Sequence, residues 1–293
     1  MKKLLIASAV ALSLASAGAS AAVITAGGIQ WDDTGLSAGG VANQVNFQQW
    51  FIDPTATATT TVGAGSGAYQ QINAAVSAGA VAGGVGAELV GLGEFYSFND
   101  SRIPTSTVND QFCVVDGCEL TFSFGGLIVA SVGGTGPIFD TSNAWFNIYY
   151  DSTPDFTTID PIDNLAGANA YTKYNEAQNE ELWLALNFDS FLLDGTILGG
   201  EAEALLSVRE GLGNAEAVAA WNYNSSLFGS DIEFTAGATF KDTSTNPNTT
   251  LLYSRDGNGQ ALNETPVPEP STIALFGLGL LGIAAGARRK KSK

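Results

Sequence analysis

The stretch at 230–241, SDIEFTAGATFK, alternates apolar and polar residues from Asp231 onward. Ile232, Phe234, Ala236, Ala238 and Phe240 fall on one face; Asp231, Glu233, Thr235, Thr239 and Lys241 fall on the other. Successive side chains of a strand point to opposite faces, so this pattern separates an apolar face from a wet one only as β-structure. The same period returns in CELTFSF, where Leu120, Phe122 and Phe124 oppose Glu119, Thr121 and Ser123. AWFNIYYD sets Phe146, Ile148 and Tyr150 against Trp145, Asn147 and Tyr149, and ELWLALNF aligns Leu182, Leu184, Leu186 and Phe188. Weaker strands are read at 45–52, 90–98, 127–132, 215–223 and 251–255.

Connections rich in Gly, Asn, Asp and Pro separate these runs, and no long stretch carries a helical period. Many short alternating strands with turns between them predict an all-β chain, an antiparallel β-sandwich or jelly roll. Residues 67–82 and 168–181 fit either a short helix or a loop. TATATTTVGAGSG at 55–67 is low in complexity and reads as a flexible surface loop. No fixed-period repeat is present, which argues against a solenoid or propeller.

Both termini break the pattern. Met1-Lys2-Lys3, an apolar run over 4–17 and Ala19-Ser20-Ala21 have the three parts of a secretory signal peptide. Signal peptidase is expected to cut after Ala21, with Ala22 nearly as good a site. About 14 apolar residues are too few to span a bilayer, which takes roughly 20. At the other end, Pro266, Pro268 and Pro270 surround Glu269 and stop any preceding strand or helix. Residues 273–287 are uncharged and would span about 22 Å as a helix, which flanking residues can extend to a single transmembrane helix. Arg288, Arg289, Lys290, Lys291 and Lys293 follow, five of the twelve basic residues in the chain. Basic residues beside a span stay cytoplasmic, so this cluster sets the orientation and leaves the rest of the chain outside.

Val267-Pro268-Glu269-Pro270-Ser271-Thr272, the apolar run and the basic tip together resemble the PEP-CTERM sorting signal of exported Gram-negative proteins. That resemblance implies an exosortase, a membrane protease that recognises the Pro-Glu-Pro element and removes the helix. It divides the chain into a signal peptide at 1–21, an ectodomain at 22–265 and a sorting signal at 266–293. Contact with the membrane is then expected only through the C-terminal helix before processing. VGLGEFYSFN, CELTFSFGGL, WFNIYYDSTPDF and LWLALNF, in this order, are similar to a group of PEP-CTERM proteins of no known activity. The class also implies an association with extracellular polysaccharide and biofilm.

Composition narrows the function. Between the two end segments only Arg102, Lys173, Arg209, Lys241 and Arg255 are basic, against 28 acidic residues, a net charge of −23. Such a surface repels nucleic acid and anionic lipid. The chain has no histidine, which removes Ser-His-Asp and Cys-His catalysis and every histidine metal site. Cys113 and Cys118 enclose Val-Val-Asp-Gly, a turn signal that sets them across a tight hairpin. In an oxidising compartment they predict a disulfide.

The remaining chemistry is sparse. A glycoside hydrolase needs two carboxyls about 5–10 Å apart. Glu88 and Glu94 lie in or beside an apolar strand and Trp31 precedes Asp32 and Asp33, yet nothing in the sequence brings any such pair together, so no catalytic residue is expected. Nor is a cofactor, although calcium has its ligand types in three places: Asp151 with Asp155; Asp160, Asp163 and Asn164; and Asp256 with Asn258. Gln260 and Ala261 break the EF-hand pattern in the last of these, where a hairpin turn is the simpler reading. Trp50, Trp145, Trp183 and Trp221 all sit in expected strands, and Trp145 and Trp183 alternate with the apolar face. They are the candidates for stacking on a sugar, with placement in a core the competing reading. The expected protein is therefore a non-catalytic structural or adhesive component of a surface matrix. A carbohydrate-binding module comes second and a carboxylate hydrolase third.

Overall fold

The computed structural model describes residues 23–32, 40–53, 55, 59–73, 83–97, 112–114, 117–134, 136–156, 176–196, 199–222, 229–241, 253–254 and 257–264. These belong to one unit, Val23–Thr265. Its strands are β1 (Val23–Ala26), β2 (Ile29–Asp32), β3 (Gly40–Ile52), β4 (Thr59–Val62), β5 (Tyr69–Ile72), β6 (Glu88–Ser97) and β7 (Glu119–Gly133). Next come β8 (Gly136–Asp140), β9 (Trp145–Asp151), β10 (Glu181–Thr196), β11 (Gly199–Gly213) and a helix, α1 (Ala215–Trp221). The last strands are β12 (Ile232–Lys241), β13 (Tyr253–Ser254) and β14 (Gly257–Glu264).

Ten strands form one antiparallel sheet, and its pairings close on themselves. β3 pairs with β6, β6 with β7, and β7 with both β8 and β9. β8 and β9 also pair with β10, β10 with β11, and β11 with β12. β12 meets β13 and β14, which both return to β3. Because β8 with β9 and β13 with β14 share places, the ten strands fill eight positions of a barrel. Each strand lies beside its neighbour in sequence, an up-and-down meander. The expected antiparallel all-β architecture is present, but the sandwich or jelly roll is corrected to a closed barrel. Alternation is the same in both architectures; the pairing of β14 with β3, over two hundred residues apart in sequence, makes the difference.

Side chains fill the interior, as eight-stranded barrels allow. Phe146 stacks on Phe122 at 4.9 Å and on Phe124 at 6.0 Å, and Phe234 approaches Phe146 at 5.7 Å. Gly93 of β6 makes room for this cluster, because a Cβ there would meet Asn46 O at 2.2 Å and Phe122 Cζ at 2.5 Å. The space left beside Phe47, Phe124, Phe188 and Phe234 is about 30 Å³, room for roughly two waters rather than a lipid or sugar. Outside, Glu201 and Glu203 of β11 are exposed while Ala204 between β10 and β12 is buried. On β11 the acids thus face water and the apolar residues between them face the core, the alternation of a half-solvated strand. Among the described residues, no helix is long and apolar enough to cross a membrane.

One end of the barrel is closed by the β1–β2 hairpin and α1. Asn214 caps α1 by accepting from the backbone N–H of Glu216 and Ala217. Residues 215–223, expected as a strand, are thus corrected to the helix Ala215–Trp221. Its Ala-rich sequence favours helix, and spacing of four places Ala217 and Trp221 on one buried face. Trp221 packs on Trp31 at 5.5 Å and on Trp183 at 6.2 Å. Cys113 and Cys118 form the expected disulfide, with Cα atoms 5.7 Å apart and Gly117 supplying the positive φ of the turn. Cys113 bridges to Ile29, so the disulfide ties the hairpin to the start of β7.

A second apolar cluster lies on the outer face. There Trp50, Val90, Leu92 and Trp145 are covered by Ile72, Phe156 and Ala177. The cover includes the β4–β5 hairpin, so part of the expected loop at 55–67 and of the ambiguous segment at 67–82 is paired strand. The β-branched run Thr59–Val62 suits extended chain, and its pairing with Tyr69–Ile72 makes it a strand.

Candidate cation site

Glu119 opens β7 and Asp151 ends β9, and the ladder places them directly opposite each other. The chain then turns at 152–155 and brings Asp155 back to the same spot. One carboxylate oxygen from each of the three residues lies within 4.8 Å of the others. The turn is held locally: Asp151 Oδ1 accepts from Thr153 N at 2.6 Å and from Thr153 Oγ1 at 3.0 Å. The Glu119 carboxylate accepts from Phe156 N at 3.1 Å and Asp155 N at 3.3 Å. Phe156 anchors the turn by entering the outer apolar cluster. Asn179 Nδ2 donates to Asp155 Oδ2 at 3.4 Å.

The electrostatics are one-sided. Asp151 is 2% exposed, and its Oδ2 has no hydrogen-bond partner. Burial pushes the Glu119 carboxyl up to about 7; the N–H groups of Phe156 and Asp155 oppose the rise and the charges of Asp151 and Asp155 add to it. Glu180 is also raised, chiefly by desolvation and then by the same two aspartates. Hard oxygen donors converging without a basic residue among them are the ligand type that calcium takes.

Beside the cluster, a row of buried polar groups lies beneath β5. Thr121 Oγ1 donates to Ala177 O at 2.9 Å, Asn147 Nδ2 to Gln70 O at 2.5 Å, and Gln178 exchanges hydrogen bonds with the backbone of Ile72. Burial pushes the Tyr149 phenol up to about 12, so it stays neutral. These bonds fasten the cover to the barrel and are structural.

The candidates read from sequence divide clearly. Asp151 and Asp155 come together as one of the three calcium groupings proposed them, joined by Glu119, which alternation alone had assigned to a solvated face. Its clue was position: an acid beginning one strand meets an aspartate ending its hairpin neighbour. Asp160, Asp163, Asn164 and Asp256 lie outside the described residues, and Asn258 is a strand residue paired with Asn46 and Gly237. Glu88 and Glu94 sit six residues apart on one strand, roughly 20 Å, too far for a hydrolase pair.

Trp145 and Trp183 are corrected as sugar-stacking candidates. They are 3% and 1% exposed: Trp145 lies under the outer cover, and Trp183 donates Nε1–H to Gly27 O at 3.1 Å beneath the hairpin. Both faces of these strands are covered, so alternation with the apolar face does not bring a ring to water. Ala21, Ala22, Val267, Pro268, Glu269, Pro270, Arg288, Arg289, Lys290 and Lys291 lie outside the described residues.

The tail is decided by comparison. Residues 266–290 match the family described as PEP-CTERM protein-sorting motif. This chain carries a PEP-CTERM sorting motif. The motif marks an exported protein directed to exosortase, with a surface or extracellular destination. No curated protein and no solved structure matches the chain.

Proposed function

We propose that the barrel, freed of its PEP-CTERM tail, is a non-catalytic structural or adhesive component of an extracellular matrix associated with exopolysaccharide. The sorting motif carries this reading, since it sends the chain out of the cell. The barrel supports it. Its interior is packed, acids such as Glu201 and Glu203 stand on the outer face of β11, and its disulfide suits an oxidising compartment. Among the described residues, the exposed large apolar side chains are Val85, Val114, Val132, Ile138 and Leu192, all aliphatic, while Tyr69, Tyr150 and Phe191 are half-buried, so no fully exposed ring offers itself to a sugar there.

Two comparisons test the proposal. The mature protein is recovered from strains with and without exosortase and its mass measured; the tail should be missing only where the protease is present. The same preparations are then fractionated with secreted polysaccharide. Co-fractionation of processed protein supports the matrix role. A processed protein that stays wholly free of polysaccharide defeats that role while leaving the sorting intact.

A further inference from the structure

We infer that Glu119, Asp151 and Asp155 together bind one divalent cation of calcium's class. Three observations carry this. Two oxygens coordinated to one calcium ion at about 2.4 Å can be at most about 4.8 Å apart, and all three carboxylates satisfy that limit. The Asp151 Oδ2 atom is buried without a partner beside the other two carboxylates, an arrangement whose desolvation cost an ion would offset. Finally, Glu119 and Asp151 are like charges directly across a ladder, a destabilising placement unless a cation lies between them.

Among the described residues, the charges acting on Glu119 are the aspartates alone. Calcium takes six to eight oxygens in flexible geometry, so three carboxylates leave places for water, which the exposed Asp155 edge admits. Magnesium demands a tighter octahedron and holds its own water. A bound ion would tie the start of β7, the end of β9 and the following turn into one unit, next to the disulfide. It would thus act on stability, independently of any polysaccharide.

The test uses the purified full-length chain, stripped with chelator and titrated with calcium chloride by calorimetry and thermal unfolding. Affinity in the range of extracellular modules, about 0.1–1 mM, is expected. At ten times the dissociation constant the folding equilibrium should shift roughly elevenfold toward the native state. Asp155→Asn and Glu119→Gln should each weaken binding at least tenfold, and Glu201→Gln should bind as the wild type does. Asp151→Asn tests the buried ligand, while Asp155→Asn on the exposed turn keeps the test decisive if the former fails to fold. No heat and no thermal shift at about 10 mM calcium, tenfold above the weakest expected affinity, would overturn the inference. So would a response unchanged in Asp155→Asn and Glu119→Gln, which would report bulk screening of an acidic surface, or magnesium binding as tight as calcium.

Discussion

Glu119 and Asp151 face each other across the β7–β9 ladder, the first residue of one strand against the last residue of the other. Both are acidic, and the aspartate is buried. Folding therefore brings together charges that the unfolded chain keeps apart, and the consequence can be read in the pH dependence of stability.

Glu119 has its carboxyl raised from an ordinary 4.5 to about 7 in the folded protein. Between those values the native state holds a proton that the unfolded state has lost, so this group's contribution falls as pH rises from about 4.5 to about 7 and is flat above. In chelator, Glu119→Gln should match the wild type near pH 5 and exceed it at pH 8 by about 1 kcal/mol, after allowing for solvent screening. Equal unfolding midpoints for the two proteins across this range would contradict the prediction.

Gly93→Ala should destabilise the barrel by about 1–3 kcal/mol, because the added methyl meets a backbone carbonyl and the Phe122 ring. Gly237→Ala is the contrast: its Cβ would meet no atom within 4 Å, and its melting temperature should hold or rise slightly. Denaturant unfolding of the two variants side by side checks the difference.

Replacing Cys113 and Cys118 by serine opens a short loop whose closure contributes about 2 kcal/mol. For a domain of this size the melting temperature should drop roughly 4–8 °C, and adding reductant to the wild type should reproduce the drop. Reductant that leaves the midpoint unchanged would mean that the bond contributes nothing to stability.

Trp145→Ala and Trp183→Ala should each cost about 3–5 kcal/mol, since both rings are buried. Trp183→Phe should lose less, retaining the ring contact with Trp221 while giving up the donation to Gly27 O. Neither tryptophan should alter any polysaccharide binding by molecules that remain folded, which fractionation at low temperature can measure.

Much of the strand content was legible because inward and outward residues alternate, as at Leu120–Phe122–Phe124 and Ile232–Phe234–Ala236. The disulfide was legible from two cysteines flanking a turn. Less visible was α1, AEAVAAW, whose small side chains mark neither period clearly until Asn214 caps it. The tryptophans misled for a related reason. Period two separates the faces of a strand, but the second face is dry wherever something such as the β4–β5 hairpin lies over it.

Sequence alone determined the β-rich class, the acidic character and the export address, because local periodicity, charge and a contiguous motif do not need the chain to be folded to be recognised. Closure of the barrel, the burial of Trp145 and Trp183, and the meeting of Glu119 with Asp151 and Asp155 were decided only in three dimensions. Each depends on register between distant segments, and a shift of one residue would send Glu119 to the opposite face.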